Sequence, residues 1–375
     1  MYTEIHTLEE LRTHIHEHEC LDCVVCQDLD LRGETAMLTR FSADGGAFLG
    51  CDFEDAALTH IIKTGGLVFP KLPNIPYRPY RSSLYTIDEL MQGYKKGEQD
   101  SFQFKALDST IYNHFAGFKQ TDGPLPLLEA LSQRLHDLAI DDALHELLQQ
   151  HPKIVAIMGG HQMKRNEPAY RDVAMIARGL TKAGYFVATG GGPGAMEAGN
   201  LGAWMSGYTI EDLDTAINIL SSEIDYKLIK YLDAGFEVTE KYPKGKESLA
   251  IPTWFYGHEP TNQFATHIAK YFANSIREDI LLAIATSGVI FSPGSAGTIQ
   301  EVFMDAAQNH YGSFKVVSPM VFFGKQFWTK ENPVYPLLQQ LSQSKQYGKM
   351  LSISDSPEEI VAFIKAHAPI LYKHA

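Results

Sequence analysis

Cysteine is scarce in this chain, with four residues, at 20, 23, 26 and 51, among 375. So few in a protein of this length excludes a fold held by a disulfide framework. Long apolar runs are missing as well. The longest nearly apolar stretch, Ile280 to Phe291, is interrupted by Thr286, Ser287 and Gly288 and falls short of the ~20 residues that span a bilayer. The first residues, MYTEIHTLEELRTHIH, carry no basic segment followed by an apolar one, so no secretory signal is expected and the cytoplasm is the expected location. Basic side chains are outnumbered, 32 against 45 acidic, and the formal charge of −13 argues against a general grip on nucleic acid. A local cationic pocket for a small anion is compatible with that total.

What is present is ordinary globular composition, 45% hydrophobic and 21% charged, enough for a full core and about two domains. Residues 7–18 read as a short helix, with Thr7 as N-cap and Glu10 as its capping-box partner. Apolar runs at 23–26, 36–38 and 47–49, separated by Asp, Gly and Ser, suggest a small unit containing β-strands. Pro70, Pro73, Pro76 and Pro79 make residues 69–81 a connector. Residues 125–150 have apolar positions at helical spacing (Leu125, Leu128, Leu131, Leu135, Leu138) and lead into a second domain. No internal repeat stands out.

From Lys153 onward strands alternate with helices, which predicts a parallel sheet covered on both faces. Strands are expected at 154–158, 185–188, 249–254, 289–291 and 316–323, with helices over 170–183 and 354–367. Residues 209–248 exceed what a connection needs and read as an insertion with its own helices.

Two glycine-rich turns in this half carry chemistry. Gly190, Gly191, Gly192 and Gly194, in Thr189-Gly-Gly-Gly-Pro-Gly-Ala-Met-Glu197, follow a strand and open a helix. Glycine lets backbone approach a ligand closely, and the helix N–H groups and dipole then face an anion. Pro293, Gly294, Ser295, Ala296, Gly297 and Thr298 repeat the arrangement, with two hydroxyls added to the backbone donors. Glu301 falls about one helical turn beyond, where a carboxylate faces the sugar of a nucleotide rather than its phosphate. Gly159 and Gly160, ending the first strand, form a third turn at the carboxyl edge of the sheet. His161, Lys164, Arg165 and Asp279 are weaker candidates for contact with base, phosphate or proton.

GGGPGAMEAGNLGA and PGSAGTIQE together resemble the turns of the LOG family, labelled lysine decarboxylase-like, whose members are nucleotide 5′-monophosphate phosphoribohydrolases. The resemblance covers roughly residues 150–330 and lies nearer the larger bacterial nucleosidases. It implies an α/β fold: a Rossmann-like, doubly wound parallel sheet with helices on both faces at 151–375, after a smaller N-terminal α+β domain at 1–150. It implies Glu301 and Arg277 as the catalytic pair, with Glu197 near the ribose or the turn. The family's lysine after the arginine is Glu278 here, and its second PGG glycine is Ser295. A homodimer or larger homo-oligomer is also implied.

The implied reaction is hydrolysis of a nucleoside 5′-monophosphate (AMP, GMP, CMP, UMP or IMP) to free base and ribose 5-phosphate. It calls for no organic cofactor and no metal. A carboxylate beside the anomeric carbon can stabilise the oxocarbenium-like sugar, activate water or act as nucleophile. Arg277 can anchor phosphate or orient the carboxylate. The alternative is a non-catalytic nucleotide sensor, which has no use for Glu301 at the sugar. A dinucleotide oxidoreductase fits poorly, because the turn is GGGPG rather than G-x-G-x-x-G. His14, His16, His18 and the four cysteines only loosely resemble metal-ligand spacing, and core cysteines beside a solvated histidine face are the expected reading.

Overall fold

The computed structural model describes residues 3–119, 123–257 and 259–372. The chain enters on β1 (Thr3–Ile5), and Thr7 then caps α1 (Leu8–His18). Its hydroxyl accepts from the Glu10 N–H at 3.1 Å while the Glu10 carboxylate accepts from the Thr7 N–H at 3.2 Å, the reciprocal cap expected from the sequence. Strand and helix then recur as β2 (Val24–Gln27), α2 (Thr35–Leu38), β3 (Ala47–Leu49), α3 (Asp55–Lys63) and β4 (Leu67–Phe69). The four strands are parallel and lie side by side in chain order. They begin 21, 23 and 20 residues apart, so this region is a coil of repeated turns that the sequence does not announce. Leu11, Ile15, Val24, Cys26, Phe48 and Ile61 fill its interior. All four cysteines are free thiols, and burial pushes those of Cys26 and Cys51 up, the latter to about 11. Residues 36–38, an apolar run suggestive of strand, instead form the end of α2 with Leu38 buried.

Two compact units divide the chain: 1–84 with 117–144, and 85–116 with 145–375. The two units are interleaved along the chain. Residues 85–116 carry α4 (Ile87–Leu90) and most of α5 (Leu107–Lys119), and they supply Asp108 to the larger unit. Fully buried Asp108 pairs with Lys270 at 2.7 Å and accepts from the Trp254 indole at 2.8 Å, which gives each buried charge or donor a partner. The long α6 (Leu127–Gln150) forms where its leucine spacing predicts. Its burial is inverted, however, since Leu128, Leu131 and Leu138 are exposed while Glu129, Ser132, Gln133 and His136 are buried. The Glu129 carboxylate accepts from Tyr77 and Gln133 at 3.1 and 2.8 Å, which satisfies that polar face.

In the larger unit the order is β5 (Ile154–Met158), α7 (Pro168–Lys182), β6 (Phe186–Thr189), α8 (Ala195–Trp204), α9 (Ile210–Leu220), α10 (Ile229–Lys241), β7 (Leu249–Ala250), β8 (His267–Ile268), α11 (Asn274–Ile284), β9 (Val289–Phe291) and α12 (Ala296–Tyr311). It closes with β10 (Val316–Val317), β11 (Met320–Phe323), α13 (Val334–Leu341), β12 (Leu351–Ser354), α14 (Pro357–Ala366) and β13 (Ile370–Leu371). Seven strands form one wholly parallel sheet in the order β12-β11-β9-β5-β6-β7-β8. From β5 the chain winds one way to β8, and from β9 the other way to β12. Right-handed crossovers then place α7 and α8 on one face and α11 and α12 on the opposite one. This is the doubly wound, Rossmann-like sheet expected, with its switch point between β5 and β9. Helices α9 and α10 account for residues 209–248.

Two expected strands are shorter than the apolar pattern suggests. Of 249–254 only Leu249–Ala250 forms a strand, with Thr253 making an isolated parallel bridge to Tyr271. The run 316–323 breaks at Pro319, so that β10 pairs antiparallel with β13 while β11 joins the main sheet. Helices α7 and α8 approach closely because a Cβ on Gly202 would sit 2.0 Å from the Ala174 carbonyl oxygen.

A buried ion pair ties the insertion to this frame. The Arg165 and Glu197 side chains, 1% and 0% exposed, pair at 2.5 Å. Tyr170 and Tyr231 each donate to the same Glu197 oxygen at 2.8 Å, and Arg165 also donates to the Tyr231 carbonyl at 3.0 Å. Burial and the carboxylate raise both phenols well above the usual range, so they remain donors. Removing one member would strand the other charge, and Glu197→Ala is expected to cost about 3–5 kcal/mol in urea unfolding. A loss below about 1 kcal/mol would show that the pair does not hold the insertion.

Candidate functional site

The carboxyl ends of β5, β6 and β9 face a cavity of about 560 Å³. Gly159 and Gly160 bring the turns after β5 and β9 together: Gly160 donates to the Pro293 carbonyl at 3.1 Å, and a Cβ on Gly159 would fall 1.9 Å from Ser292 Oγ. After β6, Gly191 (φ +78°) donates to Thr189 Oγ1 at 3.0 Å, and its carbonyl accepts from the Asn262 backbone and side chain at 2.9 and 3.0 Å. Asn200 completes this brace, accepting from Thr189 and Asn262 and donating to Ser248 and the Leu249 carbonyl. Asn200 lies in the quoted turn motif, yet as an uncharged side chain in a helix it carried no sequence signal for this job.

Gly190, Gly192, Ser295, Ala296, Gly297, Thr298, Arg277 and Glu301 all line the cavity with Gly159 and Gly160. Gly191 and Gly194 do not; they shape the turn from behind. Pro293 and Gly294 face a neighbouring cavity of about 710 Å³ that shares Gly160, His161 and Ser295 with the first. Glu197 is absent from both, because its position on α8 directs it into the pair with Arg165, which is likewise unavailable to phosphate. Asp279 lines neither cavity, whereas His161 lines both.

The two helix ends differ. The first N–H of α8, that of Ala195, donates to the Gly160 carbonyl at 3.2 Å, and Ala195 is fully buried. The first three residues of α12, Ala296 to Thr298, line the cavity, so the dipole of this sixteen-residue helix faces open space.

Arg277 rises from α11 and lies against Gly190, where a Cβ would come 2.2 Å from its guanidinium. Its Nε donates to the Ile251 carbonyl at 2.8 Å, and Nη1 stands 3.5 Å from Glu301 Oε1. Burial raises the Glu301 carboxyl above the usual carboxylate range, Arg277 opposes that rise and the nearby charge of Glu278 adds to it. The composition of the loop at 252–259 gave no hint of its place here, yet Tyr256, Gly257 and Glu259 line the cavity beside Glu278 and Gln300.

No model of a known protein family matches the sequence, and no curated protein sequence matches it. Among solved structures, one similar chain is the molybdenum cofactor binding protein from the phototrophic bacterium Rippkaea orientalis, at 15% identity and a TM-score of 0.34 over 57% of this chain and 96% of that one. Another is the Moco carrier protein from Chlamydomonas reinhardtii, at 12% identity and 0.36 over 57% and 96%. The Rossmann-like description rests on the strand order and crossovers above.

One turn beyond Glu301 on α12, Asp305 is buried with its Oδ2 unpartnered among the described residues, and burial raises its carboxyl to about 8. Between its ordinary value of 3.8 and about 8 the folded chain holds a proton that the unfolded chain releases. Stability therefore falls as pH rises through that window, by up to about 1.4 kcal/mol per pH unit. Asp305→Asn is expected to become progressively more stable than the parent between about pH 5 and 8. Parallel urea midpoints across that range would refute this assignment.

Proposed function

We propose that this chain hydrolyses the N-glycosidic bond of nucleoside 5′-monophosphates to free base and ribose 5-phosphate. The observation that carries the reading is the Arg277–Glu301 pair at 3.5 Å, set in a cavity bounded by the glycine turns after β5, β6 and β9. In this reading the phosphate sits at the N-terminus of α12, where backbone N–H groups and the Thr298 hydroxyl supply donors. The sugar then reaches Glu301, five residues further along the helix, while the exposed ring of Tyr256 offers a face to the base. Arg277 is held by Gly190 and the Ile251 carbonyl and keeps the carboxylate oriented toward the anomeric carbon.

Bond cleavage gives the sugar oxocarbenium character, and a carboxylate in a largely dry pocket stabilises that charge more than water would. The resemblance of the two turns to the LOG family supports the same reaction.

The test is product analysis with AMP, GMP, CMP, UMP and IMP. The parent should release base and ribose 5-phosphate from at least one, and Glu301→Ala should lose about 10²–10⁴-fold in kcat while still binding the nucleotide. Arg277→Lys should lose much of the activity too, since an ammonium cannot reproduce the planar fork. Binding of a monophosphate without base release by the parent would leave a nucleotide sensor as the function.

A further inference from the structure

Glu278 stands next to Arg277 on α11 and is 9% exposed. Its Oε1 accepts from Asn274 Nδ2 at 2.8 Å and from the Tyr256 hydroxyl at 3.1 Å, and its Oε2 accepts from Gln300 Nε2 at 2.9 Å. These donors come from α11, from the loop after β7 and from α12, where Gln300 immediately precedes Glu301. Glu301 receives only the long contact from Arg277 among the described residues. Glu278 and Glu301 thus line one cavity with a third carboxyl group, Glu259, and one guanidinium, Arg277. Hydrogen bonds to a carboxylate stabilise its charged form, and the three donors here face Glu278, whereas Glu301 meets Arg277.

We propose that Glu278 is a positioning residue that keeps Glu301 in its acid form, so that Glu301 donates the proton taken up by the departing base. The inference rests on the hydrolysis proposed above. The proton passes from the Glu301 carboxyl to a ring nitrogen of the base as the C1′–N bond breaks, and the bonding electron pair leaves with the base. The Glu301 carboxylate so formed faces the oxocarbenium-like sugar. Water adds its oxygen to C1′ and returns a proton to Glu301, which restores the starting state. Burial of Glu301 and its neighbour's charge both favour the acid form. The other titratable or charged groups lining this cavity are Arg277 on α11, Tyr256 and Glu259 on the loop after β7, and His161 after β5.

The experiment compares pH profiles of kcat and kcat/KM for the parent, Glu278→Gln and Glu278→Asp, using whichever monophosphate the parent cleaves. Activity of the parent should fall on the alkaline side as Glu301 loses its proton. Glu278→Gln should move that limb down by about one pH unit, giving about a tenfold loss near neutrality and little loss at acid pH. Glu278→Asp should restore part of the shift. A uniform loss at every pH, with the limb unmoved, would overturn the proposal. A second measurement separates it from the reaction itself. In protein labelled with [13C]glutamate, the Glu301 carboxyl resonance is identified by its loss in Glu301→Gln, and its titration midpoint should drop in Glu278→Gln. If no monophosphate is cleaved, the hydrolysis reading fails, and an unmoved midpoint would overturn the role of Glu278 independently.

Discussion

The cavity depends on one constraint: at the switch point the turns after β5 and β9 must touch, backbone to backbone. Gly160 donates across that gap to Pro293, and neither Gly159 nor Gly294 has room for a Cβ, the first because of Ser292 and the second because of Thr298. Gly194 is pressed in turn against the backbone of Gly160 and His161. Once these strands of chain are locked, the start of α12 and the side chain of Arg277 have little freedom left. The geometry of the cavity is set mainly by backbone packing, with side chains added to its rim.

Electrostatics follows from that rim. Among the described residues Arg277 is the one arginine or lysine lining the cavity, which Glu301, Glu278 and Glu259 line as well. In the proposed reading the phosphate is therefore held chiefly by oriented N–H groups, which carry no proton to lose and no long side chain to order. A chain with a net charge of −13 can hold an anion in this way without any basic patch.

Much of this was legible in the residues. The capping box at Thr7, the alternation of strands and helices after Lys153 and the two glycine turns each express a local rule that tertiary structure left intact. Gly190, Gly192 and Ser295 to Thr298, in or beside those turns, line one cavity. Glu197 shows the limit: it lies three residues past the last glycine of its turn, but the helical rotation at that point carries it into the interior, toward Arg165, which the sequence offers only as a weaker candidate for phosphate contact. The Asp108–Lys270 pair joins residues 162 positions apart, a contact with no local signature. On α6 the spacing gave the helix, yet spacing cannot say which face is covered, and over residues 127–138 the polar one is, before Ile140 and Leu144 are buried further on. Pro319 was visible as a breaker inside an apolar run, and the run outweighed it in the reading of 316–323 as one strand.

The N-terminal coil has a consequence of a different kind. Each of its turns is bonded chiefly to the turn before and the turn after, and its strands lie in chain order with no crossing connection. Such a segment can gain or lose a turn of about 20 residues without re-registering the others, as in stacked-repeat folds. Length in this part of the molecule is therefore open to evolutionary drift, whereas the doubly wound sheet, whose order is set by one switch point, has a fixed count.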